Sequence, residues 1–145
     1  MSISNGRSLK DYPFLPQLDI SDLFPFKNVA KEHAMLFKSL TDEQMRVYDD
    51  IMNAILSKHG GFLILYGYGG KGKTFMWKTL STAIRSKGMI VLNVASNGIV
   101  PLLLPGGKTA HSTFCIPLLI NEESTCNITQ GSLRGKLLMA TCLII

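Results

Sequence analysis

Between Gly67 and Thr74 the chain reads Gly67-Tyr68-Gly69-Gly70-Lys71-Gly72-Lys73-Thr74, the pattern Gly-x4-Gly-Lys-Thr without deviation. Each residue type at that spacing has a use at a triphosphate. Glycines let backbone amides turn inward and come close to phosphate oxygens. A helix starting near Lys73 aims the positive end of its dipole at the same oxygens. The Lys73 ammonium is expected to bridge the β- and γ-phosphates, and the Thr74 hydroxyl to ligate Mg²⁺. Lys73 and Thr74 are therefore the candidate catalytic residues, with Thr74 the candidate metal ligand. Gly67, Gly69, Gly70, Lys71, Gly72, Lys73 and Thr74 are the candidate ATP contacts. The competing reading is a glycine turn that binds nothing. The phosphate-binding pattern requires a strand before it and a helix after it, and the flanking residues predict both.

Phosphate chemistry with Mg²⁺ also needs an acid at the end of a neighbouring strand. After the loop the sequence holds only two acids, Glu122 and Glu123. Pro117-Leu118-Leu119-Ile120-Asn121-Glu122-Glu123 mimics a strand ending in an acid, but Asn121 stands at the magnesium-side position. The polar Ser124-Thr125 that follow suit an exposed loop. The better candidate strand is Cys142-Leu143-Ile144-Ile145, and the expectation is that its acid lies just past Ile145.

Other residues carry two readings each. Gln44, about 23 residues before the loop, can cap a helix, and its amide can also donate to and accept from an adenine edge. Ser96-Asn97, Lys108-Thr109-Ala110-His111-Ser112 and Phe114 fall on loops after the second predicted strand, where α/β sheets form binding surfaces. Hydroxyls, an amide and a lysine suit a nucleic-acid backbone, and His111 or Phe114 offers a stacking face. Ordinary loop residues with Phe114 in the core is the alternative. His33 and His59 read as surface histidines, and Trp77 as a packing residue.

The elements that must position these groups follow from local pattern. Residues 1 to 40 read as an extended or partly disordered lead-in, because Pro13, Pro16 and Pro25 among scattered aromatics disfavour long helices. Thr41-Asp42-Glu43-Gln44 is a capping box. Met45, Tyr48, Ile51, Met52, Ile55 and Leu56 then recur at helical spacing as far as His59-Gly60-Gly61. Phe62-Leu63-Ile64-Leu65-Tyr66 reads as a buried strand leading into the loop. A helix over 73–87 ends at Gly88, and residues 89–95 form a second buried strand. A short helix is predicted from Asn97 to Leu104, a turn over Thr109–Phe114, a loop over 121–132, a helix over 133–140 and a third strand from Cys142. Strand, glycine loop, helix and strand make a βαβ unit. The fold class is α/β: a RecA-like P-loop parallel sheet flanked by helices, incomplete at the C-terminus, with residues 41–145 as the N-terminal part of a motor domain.

Composition agrees. With 145 residues and 46% hydrophobic content the chain can bury a core, while 17% charged residues is low, against roughly 25% on average. That shortfall suggests surfaces covered by further chain or a partner. The net charge is +5, and no Asp or Glu occurs from Ile51 to Ile120, where Lys58, Lys71, Lys73, Lys78, Arg85, Lys87 and Lys108 all fall. Such a stretch attracts phosphates, unless it is only a solvated basic face. Cys115, Cys126 and Cys142 lack metal or disulfide spacing and read as reduced thiols. Met1 to Lys10 has no apolar core of a signal peptide, and no apolar run approaches the 18 residues of a membrane span. The expectation is a soluble intracellular protein that is not secreted.

Taken together, Leu40-Thr41-Asp42-Glu43-Gln44, the Gly67–Thr74 loop, Val94-Ala95-Ser96-Asn97-Gly98-Ile99 and the run Leu102 to Ser112 resemble successive N-terminal motifs of one family. It is the petite-integration-frequency family of ATP-dependent DNA helicases, in the form found in plant genomes and Helitron transposons. The resemblance runs from about residue 40 to the end, and Gly106–Ser112 is its most specific part. It implies that Gln44 reads adenine and that Lys73 and Thr74 handle ATP and Mg²⁺. It also places Ser96, Thr109, His111 and Phe114 near single-stranded DNA. Activity would be 5′-to-3′ translocation with ATP-driven unwinding at duplex junctions, in the nucleus or alternatively the mitochondrion. Two departures stand out. Lys71 replaces the usual Thr, and the Asp-Glu pair, arginine finger and second motor domain of the family are not in these residues. The 145 residues alone are therefore expected to bind nucleotide without unwinding DNA. The rivals are a small-molecule P-loop kinase, disfavoured because no Arg-rich lid follows the loop, and a non-enzymatic nucleotide- or DNA-binding module.

Overall fold

The computed structural model describes residues 26–58, 60–70, 72–99 and 103–145. The lead-in up to residue 25, His59, Lys71 and residues 100–102 lie outside the described residues.

The first element is a helix, α1 (Phe26–Lys38), where the prolines pointed to extended chain. The reason is positional. Pro25 stands immediately before the helix, at an end where its missing N–H costs nothing, and no proline follows until Pro101. Val29, His33, Leu36, Phe37 and Leu40 recur at helical spacing, and none of them is exposed. Helix α2 (Asp42–Leu56) starts at the predicted capping box. The Gln44 amide N–H donates to Thr41 Oγ1 (3.4 Å), and Thr41 N–H donates to Gln44 Oε1 (3.1 Å). Its buried face is Tyr48, Ile51 and Met52.

Helix α3 (Lys73–Ser86) begins directly after Gly72 and ends at Lys87 and Gly88 (φ 71°). Thr79 to Arg85 are buried in succession. A run longer than one turn with no exposed position means that the helix is enclosed on every side. Helices α1 and α2 pack against it, and so does strand β1 (Ile90–Leu92). Leu80 and Ile84 have no exposed surface, and each such side chain stabilises the fold by roughly 1.5–3 kcal/mol. Thr79 and Thr82 donate their hydroxyls to the carbonyls of Phe75 (2.8 Å) and Lys78 (3.0 Å), so neither is an orphaned polar group in this core. On the α1 side Lys78 Nζ reaches Glu32 Oε1 at 2.9 Å.

The second predicted strand is two pieces, β1 and β2 (Val94–Ala95), separated by the buried Asn93. Strand β3 is Lys108–Thr109, followed by the single-turn helix α4 (Ala110–Phe114). Helix α5 (Leu133–Ala140) runs straight into β4 (Thr141–Ile144), both where the sequence predicts them. β1 pairs in parallel with β4, Val91 opposite Leu143 and Leu92 opposite Ile144, and β2 pairs in parallel with β3, Ala95 opposite Thr109. The protein is thus α/β, with helices around short parallel ladders.

Two expected elements are not formed. Phe62–Tyr66 is not a strand. Only Leu65 packs on the core, while Phe62, Ile64 and Tyr66 are 87%, 80% and 85% exposed. A strand exists only where a neighbour completes its ladder, and among the described residues none pairs with this segment. The βαβ unit expected around the glycine loop is therefore not closed here. The parallel crossover joins β1 to β4 instead. Residues 96–99 form a bend and not the start of a helix. Residues 117–120 are likewise no strand: Leu118, Leu119 and Ile120 are largely exposed, which agrees with rejecting the Asn121-Glu122 pattern.

Candidate nucleotide-binding site

Two positive dihedrals build the loop. Gly70 (φ 78°) and Gly72 (φ 74°) lie in the left-handed region, which glycine occupies without the steric cost other residues meet. The second delivers the chain into α3, whose first two residues are Lys73 and Thr74. No side chain caps this end of α3, and first-turn amides have no acceptor within their own helix. These amides and the helix dipole are the groups that an anion at a helix start would use.

Lys73 belongs to the same construction. Its Nζ donates to the carbonyl oxygens of Gly67 (2.5 Å) and Tyr68 (2.8 Å). The ammonium is thereby folded over the loop, held by two neutral carbonyl oxygens. Thr74 is exposed. Lys71 lies outside the described residues. Among the described residues no group of three His, Cys, Asp or Glu could hold a metal.

Gln44 reaches the loop from α2. A Cβ on Gly72 would stand 2.6 Å from Gln44 Nε2. The two readings of Gln44 divide between its amide atoms, since Oε1 caps α2 and Nε2 lies against the loop. Between α2 and the loop is a pocket of about 490 Å³, within the range of small-molecule sites. Gln44, Val47, Leu65, Tyr66, Tyr68 and Lys73 are among its lining residues. Sequence reasoning missed the two tyrosines. They are the sequence neighbours of Gly67, their rings meet edge to face at 6.4 Å, and their spacing around the first glycine of the loop was the available signal. Trp77 packs against the core, as expected.

The candidate DNA contacts gather elsewhere. Ser96 follows β2, and Thr109 closes β3 opposite Ala95, so the register brings them to the same end of the ladder. Thr109 Oγ1 accepts from Ser112 N–H at 3.2 Å and so caps α4. His111 is exposed on that helix, and Phe114 is half-buried at its end. Helix α3 turns back through Gly88 into β1 and packs on it. His33, predicted on the surface, is instead half-buried. Its Nε2 bonds the Tyr48 hydroxyl at 2.9 Å, and burial, with Lys87 second, lowers its pKa.

The comparisons with known proteins decide the family. The family description "PIF1-like helicase" matches residues 39–145, which is α2, the glycine loop and everything after them. The chain belongs to the PIF1-like helicase family. It is also 34% identical over 101 residues to the ATP-dependent DNA helicase PIF4 of Trypanosoma brucei brucei, a stretch covering 70% of this chain and 12% of that protein. The family match begins just before the capping box, and so leaves α1 outside it. The three cysteines are free thiols. Among the described residues no helix is long and apolar enough to cross a membrane.

Proposed function

We propose that this chain forms the nucleotide-binding part of a RecA-like P-loop motor that uses ATP to move 5′ to 3′ on single-stranded DNA and to open duplex junctions. The observation that carries the reading is the geometry at Gly72. One left-handed glycine sets Lys73 and Thr74 at the uncapped start of α3 and leaves room for the Gln44 amide beside them.

The residues fit a nucleoside triphosphate with Mg²⁺. The backbone at Gly69, Gly70 and Gly72 and the first-turn amides of α3 hold phosphate oxygens. Lys73 exchanges two neutral backbone carbonyls for anionic phosphate oxygens, so that hydrogen bonds charged on the donor side alone become charged on both sides. Thr74 is the residue that would offer a hydroxyl to Mg²⁺, and the bound ion would neutralise charge on the phosphates. Gln44, already oriented by the helix cap, recognises the base. At the other site Ser96 and Thr109 approach the DNA backbone, while His111 and Phe114 stack on bases. The nucleus, with the mitochondrion as alternative, is the proposed location.

Two titrations separate the sites. Calorimetry with Mg-ATP and anisotropy with a labelled oligo(dT) are run on wild type, on Lys73→Ala and on His111→Ala/Phe114→Ala. Lys73→Ala should lose ATP and keep oligonucleotide, and the double variant should do the reverse. Loss of both ligands in both variants would remove the two-site reading.

A further inference from the structure

Beneath the two sites lies a polar cluster inside an apolar core. Asn93 breaks the second strand into β1 and β2 and is only 2% exposed. Its Oδ1 accepts from Ser81 Oγ (3.0 Å), on a residue of α3 with no exposed surface. Its Nδ2 donates to the carbonyl oxygen of Pro105 (2.9 Å), and its own carbonyl accepts from Lys108 N–H (2.9 Å). Arg85, also on α3 and 7% exposed, donates Nη2 to the same Pro105 oxygen at 2.8 Å. Two donors from different elements therefore converge on one carbonyl.

That carbonyl is well placed. Pro105 opens the Gly106–Gly107 turn (Gly106 φ 66°) that delivers Lys108 and Thr109 into β3 and His111 and Phe114 onto α4. Burying a guanidinium and a carboxamide is costly unless their bonds are made. A nonpolar residue at either position would fill the space as well and hold nothing. Both lobes of the Asn93 amide are in use, one toward α3 and one toward Pro105. The cluster thus bolts the start of the Lys108–Phe114 segment to the helix whose first residues are Lys73 and Thr74.

We propose that Arg85, Asn93 and Ser81 are positioning residues that couple the nucleotide site to the single-stranded nucleic-acid surface, by fixing the Pro105–Phe114 segment to α3. The inference rests on the reading of Ser96, Thr109, His111 and Phe114 as that surface. A shift of α3 on nucleotide binding then carries the Thr109–His111 surface with it through this cluster.

The test is a linkage measurement on the 145-residue chain. Affinity for labelled oligo(dT) is measured by anisotropy with and without a saturating non-hydrolysable Mg-ATP analogue, for wild type, Arg85→Lys and Ser81→Ala. Arg85→Lys keeps the charge and loses the planar fork. Ser81→Ala removes one hydroxyl from a helix and serves if the arginine variant does not fold. In wild type the analogue should change oligonucleotide affinity about fivefold or more, the lower end of typical coupling. In both variants that ratio should fall toward one, while analogue affinity without DNA stays within about twofold, well below such a coupling. A variant with a lower melting temperature and both affinities reduced, but the ratio preserved, has lost only stability, and the inference falls. Wild type that binds oligo(dT) indifferently to nucleotide also overturns it. Wild type that binds no oligo(dT) at all removes the DNA surface itself, and the coupling with it.

Discussion

Gln44 Nε2 stands 2.6 Å from the point where a side chain on Gly72 would begin. The contact joins the cap of α2 to the N-terminus of α3, and it brings two motifs 28 positions apart in the chain to the lining of one pocket. The glycine is required twice over, once for its dihedral and once for the neighbour.

Gly72→Ala should separate these requirements. An alanine at φ 74° is strained by roughly 1–2 kcal/mol, and urea unfolding should show a loss of that size. The steric part is cheap, because Nε2 is the end of a flexible side chain that can swing aside. That movement takes the amide from the pocket, so Mg-ATP affinity should drop about tenfold, or roughly 1.4 kcal/mol. Adding Gln44→Ala should restore none of the stability. Full recovery in the double variant would show that crowding, and not the dihedral, set the cost.

Lys73→Ala removes a cation that here bonds Gly67 and Tyr68. Its loss should weaken Mg-ATP binding by on the order of 1.5–3 kcal/mol, the range for a hydrogen bond to a charged group. Equal affinity of wild type and variant in calorimetry would take the phosphate site away from this loop.

The His33–Tyr48 contact gives a pH dependence with a definite sign. Burial is the larger cause of the lowered His33 pKa and Lys87 the second, so the fold favours the neutral ring. The unfolded chain takes up a proton near its ordinary value while the folded chain still resists it. Stability is therefore full above about pH 6.5 and declines as the pH falls from there through the lower folded value. His33→Gln should flatten the urea midpoint between about pH 7.5 and pH 5, a window that brackets the ordinary histidine value. An unchanged slope would assign the effect to another group.

The basic stretch can be tested by salt. If the acid-free residues between Ile51 and Ile120 face a nucleic acid, log affinity for oligo(dT) should fall with log salt at about −0.7 per phosphate neutralised. Lys108→Ala, beside Thr109 on β3, should make that slope shallower by roughly one contact. Indifference to salt would mark the stretch as a solvated face.

Much of this was legible because the signals are local. The capping box at Thr41–Gln44 and the glycines at 70, 72 and 88 each encode a turn or a start within a few residues, and α2 and α3 lie where those signals put them. The family, too, was legible in the motif blocks from Leu40 onward. Helix α1 was hidden by three upstream prolines, whose influence does not reach past Pro25. Phe62–Tyr66 misled for a different reason. Its composition reports a need for burial, whereas a strand needs a partner ladder, and composition cannot supply one. The convergence of Arg85 and Asn93 on Pro105 had no local signal, since residues 20 and 12 positions away meet only through the folded core.

The last prediction is that the 145-residue chain binds ATP and turns it over very slowly. The argument is chemical. After Thr74 the sequence offers only Glu122 and Glu123 as acids, and both are exposed beside a turn in which Ser124 Oγ donates to Asn121 Oδ1 (2.7 Å) and accepts from Asn121 N–H (2.8 Å). That turn is locally satisfied and needs no metal to hold it. Glu43 on α2 lines the same pocket as Lys73, but among the described residues no acid after the loop stands at a strand end, the place from which a carboxylate would complete the Mg²⁺ ligand set and orient the attacking water. An arginine finger, where measured, is worth roughly 10³–10⁵ in rate, and Arg85, the only arginine between the loop and Arg134, is committed to Pro105. Turnover should be measured on purified protein with single-stranded DNA present, beside Lys73→Ala and Glu122→Gln. Activity that survives Lys73→Ala would belong to a contaminant. Robust activity abolished by both substitutions would place Glu122 in the site and refute the prediction.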